Sequence, residues 1–146
     1  MDPTLEIPAT LNDAIATEPL WLQLWVMLLV ITNLGALLFV VGRREGRFHA
    51  RPEPIAILVS FFAAAGLMSW IYAEVGYVRL LGLAHLVFWG PVWVWILSRR
   101  KVIGTADLFG KYLHVYLAVA GASLLIDLID VVRYLLGDGA LLNRWS

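Results

Sequence analysis

Hydrophobic residues gather into four long runs, at about residues 20–41, 55–73, 80–97 and 112–136, with charged and turn-forming residues collected between them. Wound as helices rising ~1.5 Å per residue, these runs reach across the roughly 30 Å hydrocarbon core of a bilayer, the third with only ~18 residues. Between them lie GRREGRFHARPEP, EVGYVR and SRRKVIGTADLFGK, and GDGALLNRWS follows the fourth at a glycine stop. EVGYVR is so short that the second and third helices must be antiparallel neighbours. Ala56, Ser60 and Ala64 repeat every four residues, a ridge of small side chains that admits another helix closely. Gly90-Pro91 predicts a kink near Val87, because proline lacks the N–H and clashes with the preceding turn. Residues 105–109 read as a short interfacial turn. The pattern predicts an all-α, polytopic membrane protein: four transmembrane helices in an antiparallel bundle over 20–136, an extracytoplasmic segment 1–19 and a tail 137–146.

The first segment carries Asp2, Glu6, Asp13 and Glu18 but no Lys or Arg, so it is not a secretory signal, which begins positively charged. A short interfacial helix fits residues 9–16, and Thr17-Glu18-Pro19 reads as the N-cap and first turn of the first long helix.

Composition agrees with a membrane location. Hydrophobic residues make up 61% of the 146-residue chain and charged residues 15%, against about 25% charged in an average soluble protein. There is no cysteine, which removes disulfides, thiolate catalysis and Cys-based metal or iron–sulfur sites. Zero formal net charge gives no sign of a nucleic-acid partner. The basic residues are unevenly placed: Arg43, Arg44, Arg47 and Arg51 fall in one loop and Arg99, Arg100, Lys101 and Lys111 in the other. The positive-inside rule then puts residues 42–54 and 98–111 in the cytoplasm and both termini outside. Trp21, Trp25, Trp70, Tyr72, Tyr77 and Tyr134 near the outer ends, and Trp93, Trp95, Phe109 and Tyr112 near the inner ends, suit interfacial belts. GYVRLLGLAHLVFWGP and SLLIDLIDVVRYLLGD have the look of bacterial membrane-protein segments, which suggests a bacterial inner membrane.

The fourth helix carries the candidate chemistry. At ~100° per residue, Tyr112, Tyr116, Ser123, Asp127, Asp130 and Tyr134 fall on one face, a polar stripe along a membrane-length helix. Ionisable groups in hydrocarbon cost roughly 2.5–3.5 kcal/mol each, so they face a partner, water or a ligand. Counting rise from the ends puts His85 ~7 Å below the outer boundary, level with Asp127. Ser69, Tyr72, Glu74, Arg79, Asp130, Arg133 and Tyr134 come to similar depths. Glu74, Asp127 and Asp130 outnumber Arg79 and Arg133 by one charge, which a protonated His85, a bound cation or a protonated carboxyl would balance. Such a cluster suits pH sensing or cation binding, and a metal held by His85, Asp127 and Asp130 is geometrically possible, although no ligand-spacing motif supports it. Buried ion pairs that merely tie helices together explain the same residues without function. Haem between His85 and His114 is disfavoured, since the two lie roughly 18 Å apart along the membrane normal.

No HExxH, GxSxG, P-loop or dinucleotide glycine motif is present, which argues against catalysis. Three readings follow. The leading one is an oligomeric channel or conduction pathway for cations or protons, needing a homo-oligomer because four short helices hardly enclose a pore. The second is a non-transporting accessory or sensor subunit binding a ligand, metal or partner at the outer cluster. The third is a small intramembrane lipid-acting enzyme. A stripe buried within one chain favours the last two, and a stripe facing a symmetry axis favours the first.

Overall fold

The structure, a computed structural model, describes residues 10–76 and 79–137, and over these the backbone is mostly helical. A first short helix, α1 (Leu11–Ala16), is capped by Thr10, whose Oγ accepts from the Asp13 amide. Thr17 closes α1, and Pro19 precedes the first residue of α2 (Leu20–Leu34), so the expected Thr17 cap belongs to the helix before. The Gln23 side-chain amide donates to the carbonyls of Glu18 (2.8 Å) and Ala16 (3.2 Å), satisfying groups the tight turn exposes.

The first span ends differently from its apolar pattern. Past Leu34 the chain tightens into a 3-10 turn, Gly35–Phe39, and Val41 already belongs to a strand. The basic loop is a β-hairpin, β1 (Val41–Arg44) against β2 (Arg47–Ala50), with Arg43 opposite Phe48 and Arg44 opposite Arg47. Glu45 (φ 52) and Gly46 (φ 78) both take positive φ, the geometry of the two-residue turn that matches strand twist. Gly42 is required by close packing, since a Cβ there would lie 2.7 Å from the Arg51 side chain and 2.9 Å from His49.

Helix α3 (Pro52–Val75) starts with proline in its first turn and stops at Gly76, φ +81. A 3-10 turn (Arg79–Gly82) leads into α4 (Leu83–Ile103), which runs unbroken through Pro91. It continues past Leu97, carrying Arg99, Arg100 and Lys101 on helix rather than loop, because basic residues are good helix formers and suit a C-terminal turn. Likewise α5 (Leu108–Leu135) begins four residues earlier than its apolar pattern, capped by Asp107, whose Oδ1 accepts from the Gly110 amide at 2.8 Å.

Among the described residues four helices, Leu20–Phe39, Pro52–Val75, Leu80–Ile103 and Leu108–Leu135, are long and apolar enough to cross a membrane. Their interior is layered. One layer joins Ala36, Ile57, Ile96, Leu113 and Tyr116; the next joins Leu29, Ala64, Ala84, Trp89 and Leu124; a third gathers Ala14, Ile71, Tyr72 and Leu81. Ser60 and Ala64 of the small-residue ridge are buried in this interior. The outside is as apolar as the inside. Only 22% of the first span's most apolar window is buried within the chain, and Leu20, Trp21, Leu24, Met27, Leu28 and Ile31 stand exposed along α2. So continuous an apolar surface calls for a lipid or protein covering.

Candidate functional site: a His–Asp pair at the end of an apolar cleft

Helix α5 turns its polar stripe inward. Tyr116 is fully buried, Ser123 is 4% exposed, and Tyr112, Asp127, Asp130 and Tyr134 are half-buried, while Leu125, Ile126, Leu128 and Ile129 between them point outward. Tyr112 donates its hydroxyl to the Thr32 carbonyl at 2.5 Å and so fastens α5 to α2 near the hairpin end of both. Trp93 of α4 donates Nε1–H to the Leu117 carbonyl at 2.8 Å and lies over Gly121, where a Cβ would meet the indole at 3.1 Å.

One turn beyond these contacts the stripe reaches His85, in the first turn of α4. The imidazole Nδ1–H donates to Asp127 Oδ2 at 2.7 Å, and the ring stacks on Trp89 with centroids 4.0 Å apart. Ser123 Oγ donates to the same carboxylate oxygen at a long 3.4 Å. Helix α4 comes this close because Gly82 has no side chain: a Cβ there would lie 2.9 Å from Asp127 Oδ1 and 3.1 Å from Asp127 Cα. With Nδ1 committed to the carboxylate, the other ring nitrogen, Nε2, is the one a ligand can meet. The pair keeps access to a small molecule, with side-chain exposures of 13% for His85 and 15% for Asp127.

That access is a cleft of about 620 Å³ between α2 and α5. Its long wall is Trp21, Leu22, Leu24, Trp25, Val26, Leu28 and Leu29 of α2, with Met68 and Leu81 at the side. Its polar end is His85, Ser123, Asp127 and Asp130, with Gly82 beside them. Trp21, Leu24, Leu28 and Ile126 on its rim are exposed, so the cleft opens on the apolar outer surface. Such a shape, mostly apolar with a few convergent polar groups, is typical of ligand sites.

The structure divides the residues that depth alone had grouped. His85, Ser123, Asp127 and Asp130 share the cleft. Ser69 and Glu74 are exposed on α3 and do not line it, and Tyr72 packs instead with Ala14, Ile71 and Leu81. Arg133 is exposed on the last turn of α5, and the Arg79 side chain lies outside the described residues, as do residues 138–146. Among the described residues no three His, Asp or Glu side chains converge as a metal ion requires. His114, near the other end of α5, donates Nδ1–H to the Gly110 carbonyl of its own helix at 2.7 Å.

Three contributors escaped the sequence reading. Trp21 and Trp25 read there only as belt residues yet form cleft wall, and Gly82 is a point of close approach to Asp127. A signal for Gly82 exists in RLLGLAH, a glycine one helical turn before the histidine.

Compared with protein-family models, curated proteins and solved structures, the chain has no match. Fold and site together define a small, mostly helical protein with four helices suited to a membrane and a His–Asp pair closing an apolar cleft.

Proposed function

We propose that this chain is an integral membrane protein, in the manner of a ligand-binding sensor or accessory subunit, that takes an amphiphilic molecule into the α2–α5 cleft. In this reading the long helices form an antiparallel bundle in a bacterial inner membrane. Both termini lie outside, and the hairpin and the α4–α5 link face the cytoplasm, as the placement of Lys and Arg favours. The ligand's apolar part lies against Trp21, Leu24, Trp25 and Leu28, and its polar head meets His85, Asp127 and Asp130. The Asp127 and Asp130 carboxyl groups accept hydrogen bonds, so a head that donates, a hydroxyl or an ammonium, is the matching chemistry.

The observation that carries this reading is the burial of Tyr116 and Ser123 of the α5 stripe within a single chain, with the stripe's open end at a cleft rimmed by exposed apolar side chains. Conduction of cations or protons through a homo-oligomer would need the stripe at a subunit boundary, and the burial of Tyr116 and Ser123 within one chain favours binding instead.

The test uses the full chain in detergent micelles, titrated with a bromine-tagged alkylamine, the alcohol of equal length and the matching carboxylic acid. Bromine quenches nearby indoles, and a Trp21→Phe/Trp25→Phe variant identifies the cleft's share of the signal. Amine and alcohol should quench at lower concentration than the acid, and Asp127→Asn/Asp130→Asn should erase that order. Equal quenching by all three probes in wild type would sink the assignment.

A further inference from the structure

We propose that the β-hairpin is a docking element for anionic phospholipid headgroups of the membrane that the helices occupy. This rests on observations independent of the cleft. The antiparallel register sets Arg44 directly opposite Arg47, each exposed and, among the described residues, without an ion pair. Like charges facing each other across a strand pair are destabilising, and a shared anion relieves them. Arg43, beside them, has its guanidinium 5.6 Å from the ring of Phe48, and that ring is 76% exposed. An exposed aromatic among arginines suits a lipid interface, where the ring meets the acyl boundary and guanidinium groups pair bidentately with phosphate.

Position supports the same partner. The hairpin leaves the end of one membrane-length helix at Phe39 and re-enters the next at Pro52. Its four-residue strands extend at most about 13 Å from those ends, comparable to the headgroup layer plus a Debye length. Its base is anchored: Arg51 N–H donates to the Val40 carbonyl at 2.8 Å, and the Arg51 guanidinium lies 4.2 Å from the Phe109 ring. The base of the hairpin is thereby tied to the first turn of α5. Residues 42–54 and 98–111 together hold eight basic residues, three of them on the hairpin itself, against Glu45, Glu53 and Asp107, and Glu53 is already paired with Arg99 at 3.1 Å. The local field is positive where an anionic leaflet would meet it.

The chain contains no cysteine, so Glu45→Cys gives a single thiol at the hairpin tip. An environment-sensitive fluorophore there would be read in lipid nanodiscs of phosphatidylcholine alone and of equimolar phosphatidylcholine and phosphatidylglycerol. Emission should shift to the blue, and nitroxide-headgroup lipid should quench it, only with phosphatidylglycerol present, and high salt should reverse both. Arg44→Gln/Arg47→Gln should abolish the shift. In detergent, native mass spectrometry should show its preference for retaining phosphatidylglycerol over phosphatidylcholine fall at least about threefold, towards a ceiling of roughly thirtyfold for two arginines at an anionic surface. The same variant should melt no earlier than wild type, since it removes an unfavourable pair. A tip signal indifferent to phosphatidylglycerol, or a double variant that keeps the lipid preference, would overturn the proposal.

Discussion

Replacing Gly82 by alanine adds a single methyl group at the start of α4, where the backbone passes close to Asp127 of α5. That Cβ would stand 2.9 Å from Asp127 Oδ1, 3.0 Å from Asp127 Cβ and 3.1 Å from Asp127 Cα, where ordinary contact begins near 3.4 Å. A flexible side chain could swing away, but the Cα belongs to the backbone of a 28-residue helix. The two segments must therefore part by several tenths of an ångström. His85 lies one turn further along, so the same displacement stretches its 2.7 Å bond to Asp127. Overpacking of this kind costs about 1–3 kcal/mol, and weakening a hydrogen bond to a carboxylate accounts for part of that sum. The assay is reversible unfolding in mixed micelles followed by helical circular dichroism. Gly66→Ala serves as control, because a Cβ at Gly66 meets nothing within 4 Å; it should be neutral or stabilising, by up to about 1 kcal/mol of helix propensity. A double-mutant cycle with Asp127→Ala should show coupling of at least ~0.5 kcal/mol, since the His85 bond can be lost only once. If Gly82→Ala unfolds within about 0.5 kcal/mol of wild type, the close approach at Gly82 does not hold α4 and α5 together.

Other consequences can be checked on the same preparations. Tyr116 Oη is buried with no hydrogen-bond partner among the described residues, so Tyr116→Phe should be neutral or stabilising. Tyr112→Phe, which deletes the bond to the Thr32 carbonyl, should cost about 1 kcal/mol; equal effects from the two would contradict the assigned contacts. Arg99→Met strands the carboxylate of Glu53, which is 4% exposed; the loss should be about 1–2 kcal/mol by chemical unfolding, kept small by the half-exposed arginine. Reconstituted liposomes should pass neither protons nor potassium ions faster than empty ones. A flux that Asp127→Asn/Asp130→Asn removes would replace ligand binding with conduction.

The four long helices were legible because length and apolarity alone decide which segments can cross a bilayer. Their ends were less so, since they depend on caps and turn chemistry that hydropathy does not weigh. Val40 and Val41 prolong the apolar run of the first span, yet both are β-formers and Gly35 already starts the tighter turn. The hairpin was present in the sequence as Glu45-Gly46 between two four-residue arms. Reading that loop as a charge signal hid its shape. At the ends of α4 and α5 the error ran the other way: Arg99 to Lys101 and the Asp107 cap belong to helices that extend beyond their apolar parts.

The site shows which coordinate of a membrane helix a sequence encodes well. Depth follows from counting residues, and counting alone brought His85 to the level of Asp127. Azimuth follows only where a helix carries its own polar stripe, as α5 does with Tyr116, Ser123 and Asp127. Helix α3 has no such stripe, so Ser69 and Glu74 could be assigned a depth but not a direction, and they turn out exposed. Gly82 depends on neither coordinate. Its role arises because another helix's backbone passes within van der Waals distance, and a glycine carries no side chain by which hydropathy or charge could mark that approach. Residues that bind through side chains are thus easier to find than residues that permit binding by lacking one. The Gly82→Ala experiment bears on the second kind, and the paired probes for Asp127 and Asp130 on the first.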